Sequence, residues 1–464
     1  MNSNAAPPYF HVAKKVLNVS APLMGAMLGN LVMMLIDRIC LARYSSDTLV
    51  ASGPAIHTAM AIVSFFTAFV GFSRSCVAQA FGRSGRGESA YQAALGILVG
   101  AAFALVLLLM APLIEQIPFL SNRPPAITHL ESQFLYWSAY FGSIMTLNMA
   151  LSSYFSGIGR TRVTLIVGLI GQVVVIFMTI GLVFGKFGLP ELGMRGSAIG
   201  TLIGTLTMLV CYVLYMPSEV WGNLSQLIFK RSRVLWNDLL PRFSKGFAVG
   251  SSAGITNLGS AAFVWIVAGL GAIALAANNV NLTVNYIGGV PLIGLAVGCG
   301  VLCGNALGEG DYSQIMKIVL VTMTIELMYI VVIAFFQIVT PLLLLNPFGL
   351  HDKAPEIQTV SIATSRILWV YALAFGFSTT GSAVLESFGL TKFLFVTRVV
   401  LMWVLSIPVT YAITTAHAGD ASFLPMCWVV GSLFEGAIGA MYFWRIWLAV
   451  RHRQNAIVLA HAES

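Results

Sequence analysis

The sequence predicts an all-α membrane protein with twelve transmembrane helices in two homologous six-helix lobes related by a parallel repeat. Three observations lead there. The 464 residues are 58% hydrophobic and only 9% charged, whereas an average soluble chain is about a quarter charged. Apolar windows long enough to cross a bilayer, about 20 residues each, recur along the whole chain. Those windows fall into two sets whose punctuating motifs match at a nearly constant shift. The 44 glycines suit such a bundle, because small residues let membrane helices approach closely where lipid removes the hydrophobic drive between them.

In chain order the first six windows lie near 16–43, 49–73, 89–114, 130–155, 163–185 and 198–216, and the second six near 246–270, 272–306, 313–345, 357–386, 393–414 and 422–444. The longest polar connection runs from Pro217 to Lys245 and reads as a short interfacial helix. The domain reading is therefore an N-lobe at 1–216, an inter-lobe linker at 217–245 and a C-lobe at 246–464. VAQAFGRSGRGE (77–88) lies over CGNALGEGDYSQ (303–314) at a shift of 226, which pairs Ala80 with Ala306 and Gly82 with Gly308. At slightly larger shifts SGIGRTR (156–162) matches ESFGLTK (386–392), and GSAIGTLIG (196–204) matches GSLFEGAIG (431–439). Parallel repeats of this kind usually enclose a binding site near the membrane midplane.

Basic residues choose the orientation. Lys14, Lys15, Arg74, Arg83, Arg86, Arg160, Arg162, Lys230, Arg231, Arg233, Arg242, Lys245, Lys317, Lys392, Arg445, Arg451 and Arg453 fall on the side of the termini, against Arg43, Arg123, Lys186, Arg195 and Lys353 opposite. By the positive-inside rule both termini and the linker are expected in the cytoplasm. The net charge of +8 then records topology and implies no nucleic-acid partner. The first fifteen residues are largely polar and the first apolar stretch is a full span, so no cleavable signal is expected. The six cysteines sit in or beside apolar segments without the His spacing of a metal site, so neither a metal nor a cofactor is expected. No Walker A loop and no H-E-x-x-H motif points to an enzyme.

The chemistry concentrates in the first window. Asp37 lies in a segment long enough to span, where an aspartate costs about 2.5–3.5 kcal/mol, and a buried intramembrane acid is a functional residue by default. Asn30, Met33, Met34 and Asp37 share a helical stripe, and Arg38, about 100° away around the helix, is a poor direct partner. Under the repeat Asp37 answers to Phe263, so the acid belongs to one lobe. Asn278, Asn281 and Asn285 form an amide ladder in the eighth window, which Asn257 extends; it either lines a path or bonds helix to helix. Gln172 is a further polar candidate. Tyr140 and Trp265 are aromatic candidates for a lipophilic cation. Glu326, Glu386 and Glu435 are secondary acids, each either a second proton site or structural, with Lys392 or Arg398 as partners for Glu386. His57 reads either as a proton relay group or as a lone histidine bonded to a backbone carbonyl.

The pattern P-L-x6-N-x6-D (Pro22, Leu23, Asn30, Asp37), V-A-Q-x-x-G (Val77, Ala78, Gln79, Gly82), S-G-I-G-R-T (156–161) and A-A-x-x-V-N…P-L-x-G-L-A…G-x-x-L-G-E-G-D (276–311) resembles the multidrug and toxic compound extrusion (MATE) family over nearly the whole chain. The resemblance implies a bacterial inner-membrane antiporter that exports amphipathic, often cationic drugs or metabolites in exchange for H⁺ or Na⁺ by alternating access. It also implies that Asp37 carries the coupling step. The family's seventh-helix glutamate is missing near Thr256 and Asn257, its tenth-helix aspartate is missing around Gly376, and the fifth-helix pair of one branch appears as Gln172 and Ile176. A proton therefore becomes the expected coupling ion, with Na⁺ as the alternative. A lipid-linked saccharide flippase, the other alternative, would want a basic cavity, for which Arg38, Arg366 and Arg398 are the candidates. A two-lobe cavity needs one chain, so a monomer is expected.

Overall fold

The computed structural model describes residues 9–120, 124–229, 233–348 and 355–462. Among them every regular element is a helix. Backbone contacts divide the chain into two units: Gly25–Gly254, and the residues up to Met24 together with Ile255 onward.

Helix α1 (Tyr9–Tyr44) starts in the second unit and ends in the first. The first unit continues with α2 (Ser46–Gly71), α3 (Ser73–Ser84), α4 (Arg86–Leu109), the short α5 (Ala111–Glu115), α6 (Pro125–Gly157), α7 (Thr161–Phe184), α8 (Met194–Tyr215) and α9 (Ser218–Phe229). Helix α10 (Arg233–Val267) passes from the first unit to the second. The second unit then holds α11 (Ala272–Glu309), α12 (Tyr312–Val339), the short α13 (Pro341–Leu345), α14 (Pro355–Phe388), α15 (Thr391–Arg398), a π-helical stretch Val399–Ser406, α16 (Ile407–Ala416) and α17 (Leu424–Ala462).

Eleven described helices are long and apolar enough to cross a membrane. The twelfth span, α6, has the length, at 33 residues, but is too polar to count among them. Most of its polar side chains are buried. Ser143 Oγ donates to the Ala104 and Ala139 carbonyls and Asn148 Nδ2 to the Thr205 carbonyl. Helix α6 packs on α2, α3, α4 and α8, and α14 likewise packs on α11, α12 and α17. The fourth span of each half is thus the hub of its unit, where a polar face costs least because protein covers it.

Boundaries differ from the apolar windows where polar residues continue a helix. The second window ends at 73, yet α3 carries the chain on to Ser84, because Ser73, Ser75 and Val77 are buried against α4 and α6. The linker contains the expected short helix, α9, but from Arg233 it already belongs to α10. Tyr91 donates to Asp238 at 2.7 Å, and Arg242 donates to the Gln92 carbonyl at 2.9 Å, so polar contacts with α4 hold the entry of α10. Of the basic residues that set the orientation, Arg123, Lys230, Arg231 and Lys353 lie outside the described residues.

The repeat returns as packing. Gly294 and Gly298 of α11 meet Met24 and Ser20, whose atoms lie 2.6 Å and 2.0 Å from where a Cβ would sit. Gly250 and Gly246 of α10 meet Phe65 and Phe69 of α2 in the same way, at 2.7 Å and 2.9 Å. Ser20 and Gly246, like Met24 and Gly250, are related by the shift of 226 found in the sequence.

Candidate functional site

Helix α8 explains how the first unit presents Asp37. Gly196, Gly200 and Gly204 recur every fourth residue, and a Cβ on them would fall 2.5 Å from the Leu182 carbonyl, 2.9 Å from the Thr179 nitrogen and 2.2 Å from Val175. This glycine stripe seats α8 directly on the backbone of α7. Gly193, with φ of 53°, caps α8 and accepts the ring of Tyr44, the last residue of α1, so close that a Cβ would be 2.8 Å from it. With both contacts fixed, the residue after Gly196 turns toward α1. Ser197 Oγ donates to Asp37 Oδ1 at 2.5 Å. Ser197 is buried and Asp37 half-buried, while Arg38 is exposed.

The rest of the stripe is uneven. Met33 and Met34 are half-buried, and Asn30 is exposed. Gln172 is buried: its Nε2 donates to the Ala26 carbonyl at 2.9 Å, and its Oε1 lies over Gly29, where a Cβ would be 2.2 Å away. It braces α7 to α1. Tyr140 is half-buried and shares a hydroxyl contact of 2.9 Å with Tyr136, beside Trp137. His57 Nδ1 lies 2.8 Å from the Gly53 carbonyl, one helical turn away.

In the second unit the amide ladder divides. Asn278 is fully buried and its Oδ1 accepts from Trp428 Nε1 of α17 at 3.0 Å. Asn281, also fully buried, donates to the Ser361 carbonyl of α14 at 3.3 Å and to Ala277 within its own helix. Both amides bond helix to helix; Asn285 is half-buried and Asn257 exposed. Trp265 is 79% exposed.

The three secondary acids separate. Glu435 is held by Arg398, whose Nη1 lies 2.8 Å from both carboxylate oxygens, and by the Ser378 hydroxyl. Arg398, expected as a partner of Glu386, is therefore committed to α17. Glu386 is half-buried, with Ser382 Oγ 3.5 Å from its Oε1. Glu326 is fully buried and accepts from Thr380 Oγ1 at 2.5 Å. Sequence reasoning missed Ser197, Ser378 and Thr380, since a hydroxyl within a span carries no signal until its neighbour is known; only the motif around Ser197 stood out, as half of a repeat.

No group of three or more His, Cys, Asp or Glu side chains able to hold a metal occurs among the described residues. The pentad at 250–254 spells G-x-S-x-G, but it runs inside α10, whereas a nucleophile elbow needs a strand-to-helix turn.

A MatE family model matches residues 22–180 and again residues 252–412, once in each half. A probable multidrug resistance protein NorM of Agrobacterium fabrum is 27% identical over 318 residues, which cover 67% of this chain and 66% of that protein. The multidrug resistance protein NorM of Burkholderia vietnamiensis is 24% identical over 426 residues, covering 89% of this chain and 90% of that one. Among solved structures, the outward-facing conformation of a multidrug resistance MATE family transporter of the MOP superfamily matches with a TM-score of 0.83 at 17% identity, over 95% of this chain and 96% of that one. At that identity the likeness is one of fold.

Proposed function

Because the chain belongs to the MatE family and is a membrane transporter, not an enzyme, we propose that it is a proton-coupled antiporter of the inner membrane that exports amphipathic, often cationic small molecules by alternating access. The observation that supports this reading best is the Asp37–Ser197 contact. A carboxyl within a membrane span that accepts a hydrogen bond from a hydroxyl is a candidate to take up and lose a proton. Coupling then requires that the two protonation states favour different arrangements of the transporter, each with its own affinity for substrate. The NorM relatives are named as multidrug resistance proteins, which favours drug-like organic compounds as the substrate class. Of the basic residues a flippase cavity would call on, Arg398 is neutralised by Glu435.

The test is efflux of a fluorescent lipophilic cation from proteoliposomes under a pH gradient and, separately, a Na⁺ gradient, with wild type beside Asp37→Asn. Efflux driven by the pH gradient alone and abolished in Asp37→Asn supports the reading. Efflux that requires Na⁺, or that persists in Asp37→Asn, overturns it.

A further inference from the structure

Two fully or nearly buried glutamates in the second unit have opposite surroundings. Glu435 has a counter-charge: Arg398 grips both its oxygens. Glu326 has none. Its Oε1 takes one hydrogen bond, from Thr380, and its Oε2 has no hydrogen-bond partner among the described residues. That oxygen lies 3.6 Å from where a Cβ of Gly376 would be, next to Leu292, and Leu292, Ile330 and Ala372 form a buried apolar cluster around this stretch. Helix α14 keeps the two acids apart. Ser378 serves Glu435 and Thr380 serves Glu326, and residues two apart on a helix point about 200° away from each other.

An ionised carboxylate in an apolar interior, with a single hydrogen bond and no opposite charge, is strongly disfavoured. The ionisable group that faces Glu326 from α11 is the Cys299 thiol. From α14 the neighbours are Thr380 and Gly376, neither ionisable, and from α17 the acid Glu435 is already neutralised by Arg398. A dehydrated hard cation would need several oxygen ligands, and the only hydroxyl that reaches this carboxyl among the described residues is that of Thr380. A proton needs no ligand shell.

We propose that Glu326 is a second proton-carrying carboxyl of this protein, seated between Thr380, Gly376 and Cys299 in the second unit and separate from Asp37. It changes protonation within the cycle, so the transporter has two acidic stations instead of one. Its part in exchange rests on the antiport reading above; its protonation does not.

The experiment is infrared difference spectroscopy of the purified protein in lipid, between acid and alkaline buffer and, at fixed pH, with and without Na⁺. Wild type should show a carboxylic C=O band that responds to pH, part of which is lost in Glu326→Gln while the protein keeps its elution volume and melting temperature. A titrating band unchanged in Glu326→Gln overturns the proposal, as does a band that responds to Na⁺ at fixed pH and is lost in that variant. Should Glu326→Gln fail to fold, Thr380→Val serves instead: removing the one donor should displace the pH midpoint of the band, and an unmoved midpoint overturns the assignment. Efflux plays no part in this readout, so a failure of the antiport reading in proteoliposomes leaves it standing or falling on its own.

Discussion

Asp37 and Ser197 are 160 positions apart in the chain and joined by a 2.5 Å hydrogen bond in the fold. One residue comes from the first helix and the other from a helix whose position is set by a glycine stripe about 100° around it. The acid's environment is therefore governed by how tightly α8 sits on α7.

Ser197→Ala should leave a folded protein with weakened transport. A hydrogen bond to a charged group is worth about 1.5–3 kcal/mol, so the efflux rate should fall by roughly tenfold or more, short of the full loss expected for Asp37→Asn. Ser197→Thr, which keeps a hydroxyl, should retain most of the activity. Initial rates in proteoliposomes at matched protein content check both.

Gly196→Ala should act on stability and transport together. Its new methyl would meet the Leu182 carbonyl carbon and oxygen at 2.6 Å and 2.5 Å, and backbone cannot swing aside as a flexible side chain does. Overpacking of this kind costs about 1–3 kcal/mol. A lowered melting temperature in detergent, with efflux reduced beyond what lost protein explains, is the expected result, since moving α8 also moves Ser197.

Arg398 and Glu435 should behave as a pair. Removing either charge alone leaves the other buried, at a cost of about 3–5 kcal/mol, whereas an apolar replacement of both is often neutral or stabilising. Glu435→Ala should therefore melt well below wild type, and Arg398→Met combined with Glu435→Met should recover most of the loss. Thermal unfolding of the single and double variants decides it.

Asp311, in the turn before α12, gives a pH dependence outside the membrane. Its partial burial would raise the carboxyl, but hydrogen bonds from the side chains and backbones of Ser313 and Gln314 outweigh that and hold it below the ordinary carboxylate range. A carboxyl depressed in the folded state stabilises fully above its unfolded value and loses that contribution as pH falls through the folded one. Asp311→Ala should cost about 1 kcal/mol at neutral pH, as N-caps generally do. Asp311→Asn should keep most of the cap and flatten the acid side of the stability curve. Melting temperature against pH, for all three proteins, is the measurement.

How much of this was legible in the sequence depends on whether a feature is local. Windows of apolar residues located the spans, the shift of 226 recovered the duplication, and Asp37 stood out because a charge in a span is costly. The family match in both halves bears out the resemblance drawn from Pro22, Asn30, Asp37 and the later glycine motifs. What composition could not separate were residues of one chemistry in different company. Glu326 and Glu435 look alike in a hydropathy plot; one has a guanidinium and the other has a hydroxyl. Asn278 and Asn281 formed a ladder by spacing, but each is turned to a different neighbouring helix. Polar helical stretches, such as Ser73–Ser84 and 233–245, were hidden because hydropathy registers membrane exposure and not backbone hydrogen bonding.

The reciprocal exchange at Met24/Gly25 and Gly254/Ile255 has a further meaning for how such a chain can be divided. Each half lends the opening turns of its first helix to the other unit and receives the equivalent turns back. The segment repeated in the sequence is therefore offset from the segment that packs together. A cut at the chain's midpoint would leave the residues up to Met24, and the start of α10, on the polypeptide that lacks most of the residues they pack with.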